Sequence, residues 1–133
     1  MQYTYAPVST APAGDIEDYH KQLIDCLKQA GQKDMVIFGG DFNASVGTRT
    51  NRNETFCGPY GCNNGNNAGQ KLQATLAGFC NATSFFQHHT YSTWQHPGKH
   101  TQHQIDYFFV HRRDLKRVRD ASVFDFGMWP DSD

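Results

Sequence analysis

One stretch limits the folds open to this chain more than any other: Met35-Val-Ile-Phe-Gly-Gly-Asp-Phe-Asn43. Four apolar residues, two of them β-branched, run into a glycine pair and then a carboxylate and an amide two positions apart. A short apolar run closed by glycines reads as a buried strand, because a helix needs a longer pattern. Strand alternation predicts Asp41 and Asn43 on one face and Phe42 on the other, toward the core. Gly39 and Gly40 leave room for a ligand or a neighbouring backbone to approach closely. The expectation is a carboxylate and an amide presented together on a rigid strand end.

The flanking sequence sets that strand in an α/β layering. Residues 3–6 are β-prone and stopped by Pro7, and residues 8–14 form a Ser/Pro/Gly loop. Asp15 can cap a helix carried by Ile16, Tyr19, Leu23, Leu27 and Ala30, with Gly31 as its terminating glycine. His20, beside the apolar stripe, reads as a surface histidine with its hydrogen bonds met. Residues 44–67 are polar, glycine-rich and hold six asparagines from position 51 on, a length that suggests function or mobility. A short helix is predicted over 68–78, strands over 81–90 and 91–95, a turn at Pro97-Gly98-Lys99, and strands over 102–111 and 121–128. No internal repeat or domain boundary is visible.

Composition narrows the class further. With 133 residues, 38% hydrophobic and 14% aromatic, the chain is long and apolar enough for one folded domain. Its net charge of −1 offers no general polycation, so nucleic acid would have to meet a local patch. No run reaches the roughly 18 apolar residues of a membrane span. The first five residues lack the basic and apolar regions of a signal peptide. Cys26, Cys57, Cys62 and Cys80 therefore read as reduced thiols in a nuclear or cytoplasmic, not secreted, protein.

The motifs fit a known pattern. Gly40-Asp41-Phe42-Asn43 resembles the G-D-[FL]-N motif of the endonuclease/exonuclease/phosphatase superfamily, metal-dependent phosphodiesterases that include apurinic endonucleases. Tyr5-Ala6-Pro7 is similar to the Y-x-P element upstream of it. Gln104-Ile105-Asp106-Tyr107 is similar to the downstream [RQ]-[IL]-D-Y strand, and Ser132-Asp133 to the start of a terminal S-D-H. These stand in family order across nearly the whole chain. The neighbouring Asn67-Ala68-Gly69, Phe85-Phe86-Gln87 and Thr93-Trp94 are most like the endonuclease domains of non-LTR retrotransposons and their domesticated relatives.

That resemblance implies an α/β (α+β) fold, a partial four-layered sandwich of which residues 1–133 form the C-terminal portion. The first half, with an early Asn and a metal-binding Glu, has no counterpart here, and the family's terminal His does not follow Asp133. It implies Mg²⁺ (or Mn²⁺) in the complete domain, DNA as the partner, no membrane, and in the parent chain an upstream half and a reverse transcriptase domain. Asp41 would orient or deprotonate the attacking water, Asn43 would fix that carboxylate and touch the phosphate, and Asp106 would orient a histidine. Asp133 and Asp41 would approach the metal, while Tyr5 and Asn67 would hydrogen-bond the phosphate. The implied function is a Mg-dependent DNA endonuclease domain fragment, weakly active or inactive alone. The alternatives are a phosphatase or phosphodiesterase of the same fold on a small or lipid phosphate, and a decayed module that only binds a partner.

Each residue also has a plainer reading. Asp41 could start a turn and Asn43 could be an Asx cap; Asp106 is costly to bury unless paired; Tyr5 and Trp94 could be core; Asn67 could be ordinary turn chemistry. Six of the seven histidines fall between His88 and His111, but their spacing fits no standard zinc pattern. His111-Arg-Arg-Asp-Leu-Lys-Arg-Val-Arg119 carries five basic residues against one acid. Its Arg112 and Arg113 could hold DNA phosphates, or the segment could be a solvated surface. Trp94 and the histidine-bearing hairpin would lie near DNA by resemblance, where a stacking contact fits.

Overall fold

The computed structural model describes residues 2–8, 10–29, 35–49, 54–61, 64–99 and 101–122. In chain order these form β1 (Gln2–Tyr5), α1 (Ala13–Lys28), β2 (Ile37–Asp41), α2 (Asn67–Thr75), β3 (Phe79–Asn81), β4 (Trp94–Gln95), β5 (Gln102–His103) and β6 (Asp106–His111). Single 3-10 stretches cover Ala82–Phe85 and Arg112–Arg117. Gly31, Cys62, His100, Asp133 and nearly all of the strand expected over 121–128 lie outside the described residues.

A mixed sheet in the order β1-β2-β6-β3 organises the chain. β1 and β2 are parallel, with α1 as the crossover between them, whereas β6 runs antiparallel to both β2 and β3. The period-2 pattern decides which face is covered. Phe38, Tyr107 and Phe109 share a face, and Leu23 of α1 with Leu72 of α2 pack there in one cluster. Phe109 is fully buried at its centre, its ring 5.1–5.7 Å from those of Phe38, Phe42, Phe56 and Tyr107. Such tilted and edge-on pairs add about 0.5–1.5 kcal/mol each beyond burial. On the opposite face Phe108 is 39% and Tyr5 73% exposed. At the Val110 end a second cluster forms, with Cys80, Ile37, Leu115 and Val118.

The helices form where their patterns lie but start elsewhere than expected. α1 begins at Ala13, and the Pro12 carbonyl accepts from the N–H groups of Asp15 and Ile16 at 3.0 and 3.3 Å. Ahead of the first turn a proline forfeits no hydrogen bond; Asp15 lies inside that turn, where the dipole favours an acid. α2 is capped by Asn66, whose side-chain oxygen accepts from Gly69 N–H at 2.8 Å and from Ser45 N–H at 3.2 Å. Its own N–H returns a bond to the Ser45 carbonyl at 2.9 Å. Gly69 is needed there, because a Cβ would stand 1.9 Å from the Ser45 oxygen.

Two segments differ from the sequence reading. The stretch after β2 is not a free loop: Ala44, Ser45, Val46, Phe56 and Cys57 are buried. Tyr107 explains part of this, its hydroxyl accepting from Val46 N–H at 3.2 Å while donating to the Gln104 carbonyl at 2.6 Å. Of the strands expected over 81–90 and 91–95, the first is overturned, with only Asn81 in β3 and a 3-10 stretch over Ala82–Phe85, and the second is cut to Trp94–Gln95 of β4. Ser84 turns the chain after β3, its hydroxyl donating to the Asn81 carbonyl and accepting from Gly58 N–H at 2.6 and 2.7 Å. Pro97-Gly98-Lys99 does make the β4–β5 turn, with both Gly98 and Lys99 N–H groups on His96 Nδ1. Among the described residues no helix is long and apolar enough to cross a membrane.

Candidate active site

The register brings the expected residues into one row. Asp41 pairs with Tyr5 across β1–β2 and with Asp106 across β2–β6, so the three stand side by side on adjacent strands. Phe42 N–H donates to the Ile105 carbonyl at 2.8 Å and Ala6 N–H to the Asp41 carbonyl at 2.7 Å. Asp41 and Asp106 are therefore a non-hydrogen-bonded pair, the kind whose side chains stand closest.

Asn43 joins this row by a route that strand alternation does not describe. β2 ends at Asp41, and Asn43 adopts a left-handed backbone with φ 45°, a conformation asparagine tolerates better than most residues. Its N–H donates to Asp41 Oδ1 at 3.0 Å, and its Nδ2 donates to the Ala6 carbonyl at 2.7 Å. The backbone N–H thus fixes the carboxylate, and the side-chain amide ties the β1 exit to the β2 exit. Phe42, between them, is buried as the alternation required. Asp41 and Asn43 form an Asx turn and, by the same bond, stand together at one strand exit.

Thr93 is a positioning residue that the sequence reading missed. Its hydroxyl oxygen accepts from the N–H groups of both Ile105 and Asp106, at 3.0 and 3.1 Å, and its own N–H donates to the His103 carbonyl at 2.9 Å. The root of the β4–β5 hairpin is thereby fastened to the start of β6. Trp94 follows at once, 42% exposed and flanked by the rings of His96 and His103 at 5.6 and 5.7 Å. It is no core residue, and neither is Tyr5. Nothing in the type of Thr93 marks it; only its place before Trp94 in the chain could have pointed to it.

Asn67 is exposed at the first residue of α2 and lines a cleft that also reaches Asn43. The turn chemistry expected of it belongs to Asn66. Arg112 and Arg113 are not brought to this place. They follow β6 at its other end, roughly 20 Å from Asp106 along the strand. There Asp114 is buried and faces Arg113 at 3.4 Å and Arg117 at 3.6 Å. The histidines are likewise dispersed: His111 stacks on Phe79 at 4.1 Å, and His88 Nε2 meets Asp120 at 2.6 Å. Cys57 and Cys80 are buried thiols, pushed up by burial to about 12 and about 11, which leaves them poor nucleophiles.

Among the described residues no three acidic, histidine or cysteine side chains gather as a closed metal cage. Two carboxylates with a neighbouring amide oxygen are still hard-oxygen donors of the kind Mg²⁺ accepts while keeping several waters. Asp41, fixed by the Asn43 N–H, supplies one such donor at the strand exit.

Comparison with known proteins agrees with this geometry. The model of the endonuclease/exonuclease/phosphatase family matches residues 3–127. Among solved structures, the endonuclease domain of TRAS1, a telomere-specific non-LTR retrotransposon, is similar at a TM-score of 0.54 and 24% identity. The match covers 86% of this chain and 44% of that one, so the chain spans less than half the length of that relative. No curated protein sequence matches significantly. With nearly all of its length matched and the motif residues aligned in one row, this chain belongs to the endonuclease/exonuclease/phosphatase family.

Proposed function

We propose that this chain is the C-terminal portion of a metal-dependent DNA endonuclease domain of retroelement type. The observation that carries the reading is the row Tyr5–Asp41–Asp106 with Asn43 bonded to the Asp41 carboxylate. In it Asp41 orients the attacking water and accepts its proton. Asn43 holds that carboxylate and, with Tyr5 and Asn67, donates to the scissile phosphate. Asp106 is the carboxylate against which a histidine is oriented in the complete domain. Mg²⁺ or Mn²⁺ would be held with Asp41 among its ligands, joined by Asp133 from outside the described residues, and would supply charge to polarise the phosphate.

DNA is favoured over a small or lipid phosphate by the exposed Trp94 rooted beside Asp106, which offers a base a stacking surface. Arg112 and Arg113 would hold the duplex roughly six base pairs further along, given their separation from Asp106. Because the chain spans 44% of the relative it matches, the isolated 133-residue chain is expected to bind DNA but to cleave it weakly or not at all.

The test is duplex-DNA binding by fluorescence anisotropy across a salt series, beside phosphate release from inositol phosphates. Salt-sensitive binding that weakens in Asn43→Gly and Asn67→Ala supports the reading. Glycine suits the backbone of residue 43, so the first variant removes the amide without strain. Phosphate release from inositol phosphates, or DNA binding indifferent to both variants, overturns it. Rapid nicking of supercoiled plasmid in Mg²⁺, lost in Asp41→Ala, would uphold the nuclease and overturn the expectation of weak activity.

A further inference from the structure

The cleft between α1 and α2 opens beside Asn43 and encloses about 400 Å³, within the roughly 300–1,000 Å³ that small-ligand sites occupy. Its floor is apolar, made by Pro7, Ile16, Phe42 and Leu72. Polar groups line it as well: Asn67, His20 and the exposed Lys71–Glu17 ion pair.

The hydrogen-bonding character of His20 follows from proton counting. Thr75 has one hydroxyl proton, which it donates to the Lys71 carbonyl at 2.9 Å. Its oxygen can then only accept from His20 Nδ1, 2.7 Å away. With Nδ1 as the donor of that pair, the lone pair of the ring is on Nε2. Burial, then the Lys71 ammonium, favour the neutral ring, holding its pKa below the usual value against the pull of Glu17. Lys71 and Glu17 neutralise each other, so an anion entering the cleft meets no surplus of positive charge, and a cation no surplus of negative. The matching occupant is uncharged, apolar on its broad faces and able to donate a hydrogen bond from its edge.

We propose that this cleft seats the base of an unpaired nucleotide whose phosphate lies at Asn43 and Asn67, with His20 Nε2 accepting a hydrogen bond from the base edge. This deepens the nuclease reading and rests on it. It gives the site a preference for a nucleotide out of the stack, where the base edge is open to be read.

The test is NMR of the 133-residue chain, following the His20 ring nitrogens and the side-chain amides of Asn43 and Asn67. The probes are 2′-deoxyadenosine 5′-monophosphate, deoxyribose 5-phosphate and inorganic phosphate. The free protein is expected to show the Nδ1-protonated tautomer. The nucleotide should shift His20 Nε2 and both amides, whereas the two base-free probes should shift the amides alone. His20→Phe, which keeps a ring of similar bulk, should weaken the nucleotide about fivefold, the loss of one hydrogen bond, and leave deoxyribose 5-phosphate unaffected. An Nε2-protonated tautomer, or His20 unmoved while the amides respond, overturns the base subsite and leaves the phosphate site standing. Amides and ring alike unmoved by every probe overturn the nuclease reading together with the subsite.

Discussion

The two ends of β6 hold similar kinds of residues and use them differently. At its start Asp106 stands opposite Asp41, with Thr93 fastening its backbone and Asn43 fixing its neighbour. At its finish the charged and aromatic groups are consumed by packing: His111 lies on Phe79, and Asp114 is closed in by Arg113 and Arg117. Charge density alone would select the second end, with five basic residues in nine. Geometry selects the first, where two carboxylates and a tyrosine are aligned across three adjacent strands.

The largest perturbation should erase the contrast altogether. Phe109 lies midway along β6 and is fully buried among four rings. Phe109→Ala should cost about 3–5 kcal/mol, the usual range for a buried aromatic. Chemical denaturation should show the midpoint falling for probes at both ends together. A loss below about 1 kcal/mol would mean that the two ends are not held by one core.

A second substitution should touch the acidic end alone. A Cβ on Gly40 would stand 2.1 Å from the Thr4 carbonyl oxygen, backbone that cannot give way without moving β1. Gly40→Ala should therefore displace Tyr5 from Asp41 and cost about 1–3 kcal/mol, in the range for overpacking. Amide exchange should quicken in β1 and the second half of β2, while the β3–β6 pairing near Cys80 and Val110 stays protected. Equal acceleration at both ends would break the comparison.

How far the sequence discloses this contrast depends on the range of each signal. β2, β6 and α1 are legible because each carries a periodic apolar pattern, and Asp41 and Asp106 are legible because they interrupt such patterns. The pairing that puts those two opposite each other is non-local; no residue in either strand states the register. Asn43 reaches the site through a left-handed turn, so the alternation argument arrives at the right neighbour by the wrong backbone. Thr93 and Ser84 act through single hydroxyls on backbone groups distant in sequence, which residue type cannot reveal. The collapse of the strands expected over 81–95 has the same origin, since Ser84 and Gly58 turn that segment by a tertiary bond. The distance between Arg112 and Asp106, by contrast, is legible from strand length alone, because six strand residues span roughly 20 Å.

The basic end should respond more mildly than the acidic one. Asp114→Asn removes one charge from a cluster whose arginines are about half exposed. Breaking a wholly buried pair would cost about 3–5 kcal/mol, but solvent screens these arginines, so about 1–2 kcal/mol is expected. The loss should shrink at high salt, read as a converging melting temperature for the two proteins between low and high ionic strength. Salt-independent destabilisation would show that Asp114 acts by packing instead.

The smallest effect belongs to the helical side of the acidic end and has a definite sign. His20 is held below its ordinary pKa of 6.5, chiefly by burial and next by Lys71, with Glu17 opposing. Its other close neighbours are the Thr75 hydroxyl and, edge-on, the Tyr19 ring. A lowered folded pKa means that the unfolded chain binds the proton more readily, so stability rises with pH in that window. The His20 contribution is complete above 6.5 and is lost as pH falls through the lower folded value. Protonation would also fill Nε2, removing the acceptor that faces the cleft. Stability measured by urea denaturation from about pH 7 downward should fall more steeply in the unaltered protein than in His20→Phe, which has no proton to gain there. Parallel curves would show that this ring titrates alike folded and unfolded, and that the burial between α1 and α2 does not reach its charge.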